Sequence, residues 1–137
     1  MLKLHGVAIS NYFSSVKTAL VEKDLAFEEI TVFPSRKPAV LAVSPMGKVP
    51  WLDIDGTYLS ETNVIYDYLE DLQATPALYP GDALARAKVK EIVRVVENYV
   101  DVPARRHIAS VYFGADVDAR AFDEVRPALE NGLAALK

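Results

Sequence analysis

The chain has 137 residues, enough for one ordinary domain or two small ones, and its 51% apolar and 25% charged residues are typical of a soluble globular protein. The formal charge is −4 and acidic and basic residues are interspersed, so the charge pattern does not favour nucleic acid or anionic lipid as a partner. Zero cysteines exclude a disulfide framework, a thiolate metal site and Cys-X-X-Cys redox chemistry. With no apolar run long enough for a spanning helix and no secretory leader pattern, we expect a cytoplasmic protein.

The first third of the chain predicts a strand, a helix and a second strand. Apolar and polar residues alternate up to Gly6, which predicts a strand with one buried face. Ser10 and Asn11 are good N-cap residues, and the apolar spacing after them predicts a helix to about Asp24. The β-rich run 26–33 predicts a second strand, and a strand-helix-strand unit normally has parallel strands with a right-handed crossover.

The stretch from Val43 to Thr62 predicts a β-hairpin that leads into a helix. Asp55-Gly56 lies between two short apolar runs and is the strongest local signal for a two-residue turn with positive φ. Pro50 lies near the start of the first of these strands, where a missing N–H is tolerated and a cis peptide bond is cheap. Residues 60–62 precede the spacing of an amphipathic helix, whose free N–H groups make a ready anion site.

The order of these elements predicts a fold of two parts. A short helix at 39–43 completes a β-α-β-α-β-β-α series with a mixed four-stranded sheet, which is a thioredoxin-like α/β layout for residues 1–75. Residues 76–82 are interpreted as a linker, and residues 83–137 as the start of an all-α domain. In that domain Asp82 is expected to cap the first helix, Pro103 to kink or break a helix, and Pro127 to fit poorly.

Three stretches of sequence occur at the spacing of a known family. They are SNYFSSVKTALVEKDLAFEE around the first helix, SPMGKVPWL with SETNVIYDYLED at the hairpin, and LYPGDALARAKV before the helical part. With them the whole chain resembles the cytosolic glutathione S-transferases of the serine-dependent, theta/zeta-like bacterial kind. The resemblance implies a glutathione-binding N-terminal domain and an all-α C-terminal domain that helps to form the electrophile pocket. Family members continue for several more helices, so the C-terminal domain is expected to be incomplete here.

The family pattern implies a role for each residue of a glutathione site. Val49 would pair its N–H and C=O with the cysteinyl backbone of glutathione when the Val49-Pro50 bond is cis. Glu61 and Thr62 would hold the γ-glutamyl end, where a zwitterion needs a carboxylate for its amine and a hydroxyl with helix N–H groups for its carboxylate. Lys48 would reach the glycyl carboxylate. Two further cations, Arg36 and Lys37, are less favoured for that contact.

The residue beside the thiol is implied to be Ser10, which would donate a hydrogen bond to the thiolate. Members that use a tyrosine place it at the end of the first strand, where this chain has Gly6, so that mechanism is disfavoured. Tyr12 and Ser14 remain alternatives, and a contact of Asn11 with the thiolate is left open. Without the family pattern, Ser10 and Asn11 are equally well explained as helix caps alone.

These inferences predict a glutathione S-transferase that conjugates the glutathione thiolate to a hydrophobic electrophilic small molecule. Glutathione is the co-substrate and no metal is expected, because neither histidine has a partner at ligand spacing. The resemblance also implies a homodimer that serves detoxification. The alternative is a transferase-like interaction protein of the stringent-starvation type, which keeps the fold and lacks the chemistry.

Overall fold

Four strands form one mixed sheet in the N-terminal part of the computed structural model, which describes residues 1–137. The strands are β1 (Leu2–Gly6), β2 (Phe27–Thr31), β3 (Trp51–Ile54) and β4 (Thr57–Ser60), in the spatial order β2-β1-β3-β4. β1 and β2 are parallel, whereas β1 with β3 and β3 with β4 are antiparallel. The predicted thioredoxin-like sheet is therefore confirmed.

Three helices accompany the sheet: α1 (Asn11–Glu22), the single turn α2 (Pro38–Leu41) and α3 (Thr62–Leu72). One face of the sheet packs on α1 and α3, and the buried core there consists of Leu2, Leu4, Phe13, Val16, Ala19, Leu20, Leu52, Ile65 and Leu69. Full burial of one such large side chain contributes about 1.5–3 kcal/mol. The alternation of apolar residues in β1 is explained by this packing, because Leu2 and Leu4 face the helices.

The hairpin turn between β3 and β4 has the geometry that its sequence predicts. Asp55 has a φ of 50° and Gly56 a φ of 90°, so both central residues adopt the positive values of a two-residue turn. The carboxylate of Asp53 accepts a hydrogen bond from the Gly56 N–H at 2.8 Å. This turn fixes which residues of β3 and β4 lie opposite each other.

A buried lysine fastens the end of α1 to the segment that follows α3. The Lys23 side chain is fully buried, and its ammonium lies 2.7 Å from a carboxylate oxygen of Glu70. It also donates to the backbone carbonyls of Gln73 at 2.5 Å and Pro76 at 2.9 Å. The Gln73 side-chain amide donates back to the carbonyl of Lys23. A charge removed from water is tolerated here because it has both an opposite charge and hydrogen-bond acceptors.

The chain divides into two units, residues 1–78 and residues 79–137, and the second unit is helical. Its helices are α4 (Ala83–Val96), α5 (Val102–Ala104), α6 (Ile108–Phe113) and α7 (Ala119–Ala134). Asp82 caps α4 through the Ala85 N–H at 2.8 Å, and Asp118 caps α7 through the Ala121 N–H at 3.1 Å. None of the helices combines the length and hydropathy that a bilayer crossing requires.

The two prolines within the helices of this unit have different surroundings. A π-helical turn at Glu97–Asp101 joins α4 directly to α5, which contains Pro103. Pro103 has no N–H for the carbonyl of Tyr99, and that carbonyl faces Gly132 of α7, where an added Cβ would lie only 2.4 Å away. The regular α-helix thus ends at Val96, shortly before Pro103, as a kink or break there predicts, whereas Pro127 is exposed within the continuous helix α7.

Candidate functional site

The sheet register brings the predicted site segments to one end of the N-terminal unit. His5 of β1 lies opposite Trp51 of β3, and Trp51 lies opposite Ser60 of β4. The loop to Ser10 leaves β1 at this end, Val49 immediately precedes Pro50 and β3, and Glu61 immediately follows β4. Residues more than 50 positions apart in sequence therefore share one end of the sheet.

Ser10 is the N-cap of α1 and keeps a free hydroxyl proton. Its oxygen accepts a hydrogen bond from the Phe13 N–H at 3.3 Å, and its backbone N–H donates to the Val7 carbonyl at 2.9 Å. A serine hydroxyl has two acceptor sites and one donor, so capping leaves the O–H available. The half-buried side chain can cap the helix and donate to a ligand at the same time.

Ser14, Asn11 and Tyr12, the alternatives to Ser10, already have interaction partners within the chain. Ser14 donates its hydroxyl proton to the Ala8 carbonyl at 3.3 Å, and its side chain is exposed. Asn11 is exposed as the first residue of α1, Tyr12 is half-buried, and both already have interaction partners. Of the two serines, Ser14 therefore uses its hydroxyl proton within the chain, whereas Ser10 does not.

Gly6 at the end of β1 is held by packing. A Cβ built on it would lie 2.3 Å from the ring of Phe13, which is itself buried in the core. Any larger side chain there would displace Phe13 from the start of α1. This geometry leaves no room for a larger side chain at that position.

Val49 presents two unpaired backbone groups next to Pro50. The Val49-Pro50 peptide bond is cis, and neither the N–H nor the C=O of Val49 makes a hydrogen bond within the chain. Val49 is half-buried and Pro50 is buried, while the neighbouring Lys48 is exposed. A free donor and a free acceptor on one residue can pair with an extended backbone as an added strand does.

The start of α3 combines an unusual backbone with free polar groups. Glu61 has a φ of 72° and a ψ of 115°, a conformation that costs a non-glycine residue about 1–3 kcal/mol. Its exposed carboxylate makes no capping hydrogen bond, and Thr62 begins the helix. The first N–H groups of a helix have no carbonyl partner in the preceding turn, so this end attracts an anion while Glu61 attracts a cation.

Comparison with known proteins identifies the family. Residues 4–77, which are more than half of the chain, match the family model for the N-terminal domain of glutathione S-transferases. This chain belongs to the glutathione S-transferase family.

Individual relatives agree with this assignment. The chain is similar to a glutathione S-transferase of Pseudomonas putida, with 46% identity over 137 residues, which are 100% of this chain and 62% of that relative. It therefore spans less than two thirds of the length of that relative. The fold resembles poplar glutathione transferase F1, with a TM-score of 0.82, 24% identity, and coverage of 98% of this chain and 67% of the poplar chain.

A third relative was solved with a glutathione derivative. It is a glutathione S-transferase of Methylobacterium radiotolerans in complex with glutathione sulfonate, with a TM-score of 0.80 and 26% identity to this chain. The similarity covers 98% of this chain and 64% of the relative.

His5 of β1 and Trp51 of β3 form a stacked pair of rings that the sequence did not predict. The His5 and Trp51 rings stack with centroids 5.0 Å apart, and His5 Nε2 lies 4.0 Å from the Asp53 carboxylate. His5 Nε2 and Trp51 Nε1 are buried without a hydrogen bond. Burial lowers the pKa of His5 from its ordinary value of 6.5, and the Asp53 carboxylate partly opposes this effect. No group of three or more acidic or histidine side chains is placed to hold a metal ion.

Next to the candidate site, Ser44 has a buried hydroxyl that the sequence did not reveal. Ser44 is 1% exposed, and its Oγ donates to the carbonyl of Lys48 at 2.8 Å. The sequence shows only a Ser-Pro pair after a short helix, which indicates a turn rather than a buried donor. A side chain to backbone contact of this kind has no sequence period that could reveal it.

Proposed function

We propose that this chain carries the glutathione site of a glutathione S-transferase that conjugates the glutathione thiolate to an electrophilic small molecule. The observation that carries the proposal is the set of unpaired groups at one end of the sheet. They are the Ser10 hydroxyl proton, the Val49 N–H and C=O, and the start of α3 with the Glu61 carboxylate. Their chemical types match the cysteinyl thiol, the cysteinyl backbone and the γ-glutamyl end of glutathione.

Glutathione is held in this proposal mainly by hydrogen bonds. Val49 pairs with the cysteinyl backbone in the manner of an added strand, next to Pro50. Glu61 accepts from the γ-glutamyl ammonium, while Thr62 and the first N–H groups of α3 bind the γ-glutamyl carboxylate. Lys48 reaches the glycyl carboxylate, and Asn11 completes the site near the thiol. The glutathione sulfonate complex of the Methylobacterium relative supports a tripeptide site in this fold.

The thiol is activated by Ser10 at the start of α1. A free thiol has a pKa of about 8.5, and each unit of lowering corresponds to about 1.4 kcal/mol of preference for the thiolate. The Ser10 O–H donates to the sulfur, and the positive end of the helix dipole adds to the effect. The thiol proton is released to solvent, and the thiolate forms a C–S bond by attacking the electrophilic carbon with its electron pair. In a substitution the bond from that carbon to its leaving group breaks and the leaving group departs with the pair; in an addition a π bond at that carbon opens, and the neighbouring atom takes the pair and later a proton.

The remaining parts of the proposal concern the whole protein. We place the electrophile against the helical domain, and we expect a cytoplasmic homodimer that serves detoxification. The Pseudomonas relative is a transferase, and its 46% identity favours a catalytic protein over the non-catalytic regulator of the stringent-starvation type.

Variants of Ser10 test the catalytic part of the proposal. Ser10→Gly removes the hydroxyl but, as a tolerated N-cap, costs only a few tenths of a kcal/mol in stability. We expect turnover of a model electrophile to fall about tenfold to a hundredfold, since a charge-assisted hydrogen bond contributes about 1.5–3 kcal/mol. The pH dependence of the rate should shift to higher pH, because the bound thiol then needs a higher pH to ionise.

Two further variants serve as controls in this test. Ser10→Thr keeps both the cap and the hydroxyl and should keep most of the turnover. Ser14→Ala removes the exposed neighbouring hydroxyl and should leave the pH dependence unchanged. If Ser10→Gly turns over the electrophile as fast as the parent with the same pH profile, Ser10 does not activate the thiol.

A further inference from the structure

We infer that Ser44 is a positioning residue, whose buried hydroxyl orients the Val49 N–H toward the ligand. The inference deepens the proposed glutathione site and rests on it for its functional part. Ser44 lies in the turn between α2 and β3, outside the set of residues that would touch glutathione. Its action would pass entirely through the peptide group that joins Lys48 to Val49.

Both backbone groups of Ser44 make hydrogen bonds within its turn. Its N–H donates to the Val40 carbonyl in α2 at 2.8 Å, and its own carbonyl accepts from the Gly47 N–H at 2.7 Å. The Gly47 carbonyl in turn accepts from the Ser35 N–H at 2.9 Å, which ties this turn to the loop after β2. With the side chain only 1% exposed, the hydroxyl has a defined position from which to donate.

The Ser44 hydroxyl binds the carbonyl that shares a peptide group with the Val49 N–H. Ser44 Oγ donates to the Lys48 carbonyl oxygen at 2.8 Å. That carbonyl and the Val49 N–H belong to one planar, trans peptide group, in which the C=O and N–H bonds point in opposite directions. Holding the Lys48 oxygen toward the buried turn therefore turns the Val49 N–H away from it.

Val49 makes no hydrogen bond of its own that could fix this peptide group. The Val49 N–H and C=O make no hydrogen bond within the chain, and Val49 precedes β3, so the strand ladder does not fix its peptide plane. Lys48 is exposed, so its side chain does not anchor the group from the other side. A ligand that pairs with Val49 meets a donor that is already oriented, which lowers the entropic cost of binding.

The test reads the direction of the Val49 N–H bond and the affinity for glutathione separately. Residual dipolar couplings of the 15N-labelled chain report N–H bond directions, and calorimetry gives the Kd for glutathione. In Ser44→Ala we expect the Val49 coupling to depart from the parent value while the couplings of β1 and α1 amides stay the same. The Kd should rise about threefold to tenfold, the effect of one net hydrogen bond.

Control variants separate positioning from general stability. Thr18→Val removes an exposed hydroxyl that donates to the Ser14 carbonyl in α1, and it should change neither the Val49 coupling nor the Kd. Ser44→Cys, with a weak donor of similar shape, should change both in the direction of Ser44→Ala by a smaller amount. If Ser44→Ala fails to fold, Ser44→Cys decides the question by the same two measurements.

The outcomes distinguish this inference from the proposed function. An unchanged Val49 coupling in the folded Ser44 variants overturns the positioning role, whether or not glutathione binds. If the parent binds glutathione and the Ser44 variants bind it equally well, the role in binding is overturned while the proposed function stands. If the parent binds no glutathione, the proposed function fails, and the coupling alone decides whether Ser44 orients the Val49 N–H.

Discussion

At the scale of single residues, the proposed site depends on side chains such as Ser10, whose oxygen and proton can make separate hydrogen bonds. The oxygen of Ser10 caps α1, and its proton remains free for a ligand. The sequence could identify Ser10 and Asn11 as cap residues, because capping preferences follow from local chemistry. It could not separate Ser10 from Ser14, because only the fold shows that the Ser14 proton is donated to the Ala8 carbonyl.

His5 provides a prediction that depends on a pKa. Burial is the largest influence on its imidazole and lowers the pKa from 6.5, and the Asp53 carboxylate raises it by a smaller amount. A histidine titration by NMR should therefore give His5 a pKa below 6.5, and Asp53→Asn should lower it further. A His5 pKa above 6.5, or one that rises in Asp53→Asn, would contradict this electrostatic account.

The lowered pKa of His5 also determines how its contribution to the free energy of unfolding changes with pH. Because the folded pKa of His5 lies below its unfolded value, the unfolded chain binds more protons between these two values. The contribution of His5 to the free energy of unfolding is therefore fully present above about pH 6.5 and is lost as the pH falls toward the folded pKa.

At the scale of elements, the hairpin and α1 can be predicted from local sequence signals. The contacts of Lys23 that join the end of α1 to residues 70–76 cannot. Asp55-Gly56 predicts its turn because few other dipeptides accept positive φ at both positions. Lys23 is ordinary at the end of a predicted helix, and its burial arises only when residues 70–76 fold back onto α1. Sequence patterns report which face of an element is apolar, and they do not report such distant polar partners.

Lys23→Met should destabilise the N-terminal unit by about 2–4 kcal/mol, because it leaves Glu70 without its cation and two carbonyls without a donor. Denaturant unfolding followed by the fluorescence of Trp51, the one tryptophan, reports on this unit. The matched control is Lys17→Met, which breaks a half-exposed pair with Glu29 and should cost less than about 1 kcal/mol. Equal losses for the two variants would show that the buried network adds no stability.

In the helical unit, the sequence predicts the long helices and an irregularity at Pro103, and the regular α-helix does end shortly before that residue. Pro103 follows a π-helical turn, and the Tyr99 carbonyl in that turn lies against Gly132 of α7. Pro127 lies on an exposed face, where one missing backbone hydrogen bond can be replaced by water. A proline in a helical pattern therefore predicts a local change whose size depends on what surrounds it.

At the scale of the whole molecule, a small sheet brings together segments that are distant in sequence. The β-α-β and hairpin signals predict the neighbours β1-β2 and β3-β4, and the structure joins the two pairs through antiparallel pairing of β1 with β3. The register then places Ser10, Val49 and Glu61 at one end, which no local pattern states. The sequence predicted these residues through a family resemblance, and the structure supplies the physical reason why their unpaired groups can serve one ligand.

The central claim is that this end of the sheet binds glutathione. Titration calorimetry of the full chain with glutathione tests it directly, with Glu61→Gln and Lys17→Gln as a matched pair of charge-altering variants. We expect the parent to bind, and Glu61→Gln to bind about tenfold more weakly, because the γ-glutamyl ammonium loses its carboxylate partner. Lys17→Gln, which changes a charge on the exposed side of α1, should bind as the parent does. No heat of binding for the parent, or equal affinity for Glu61→Gln, would contradict the account.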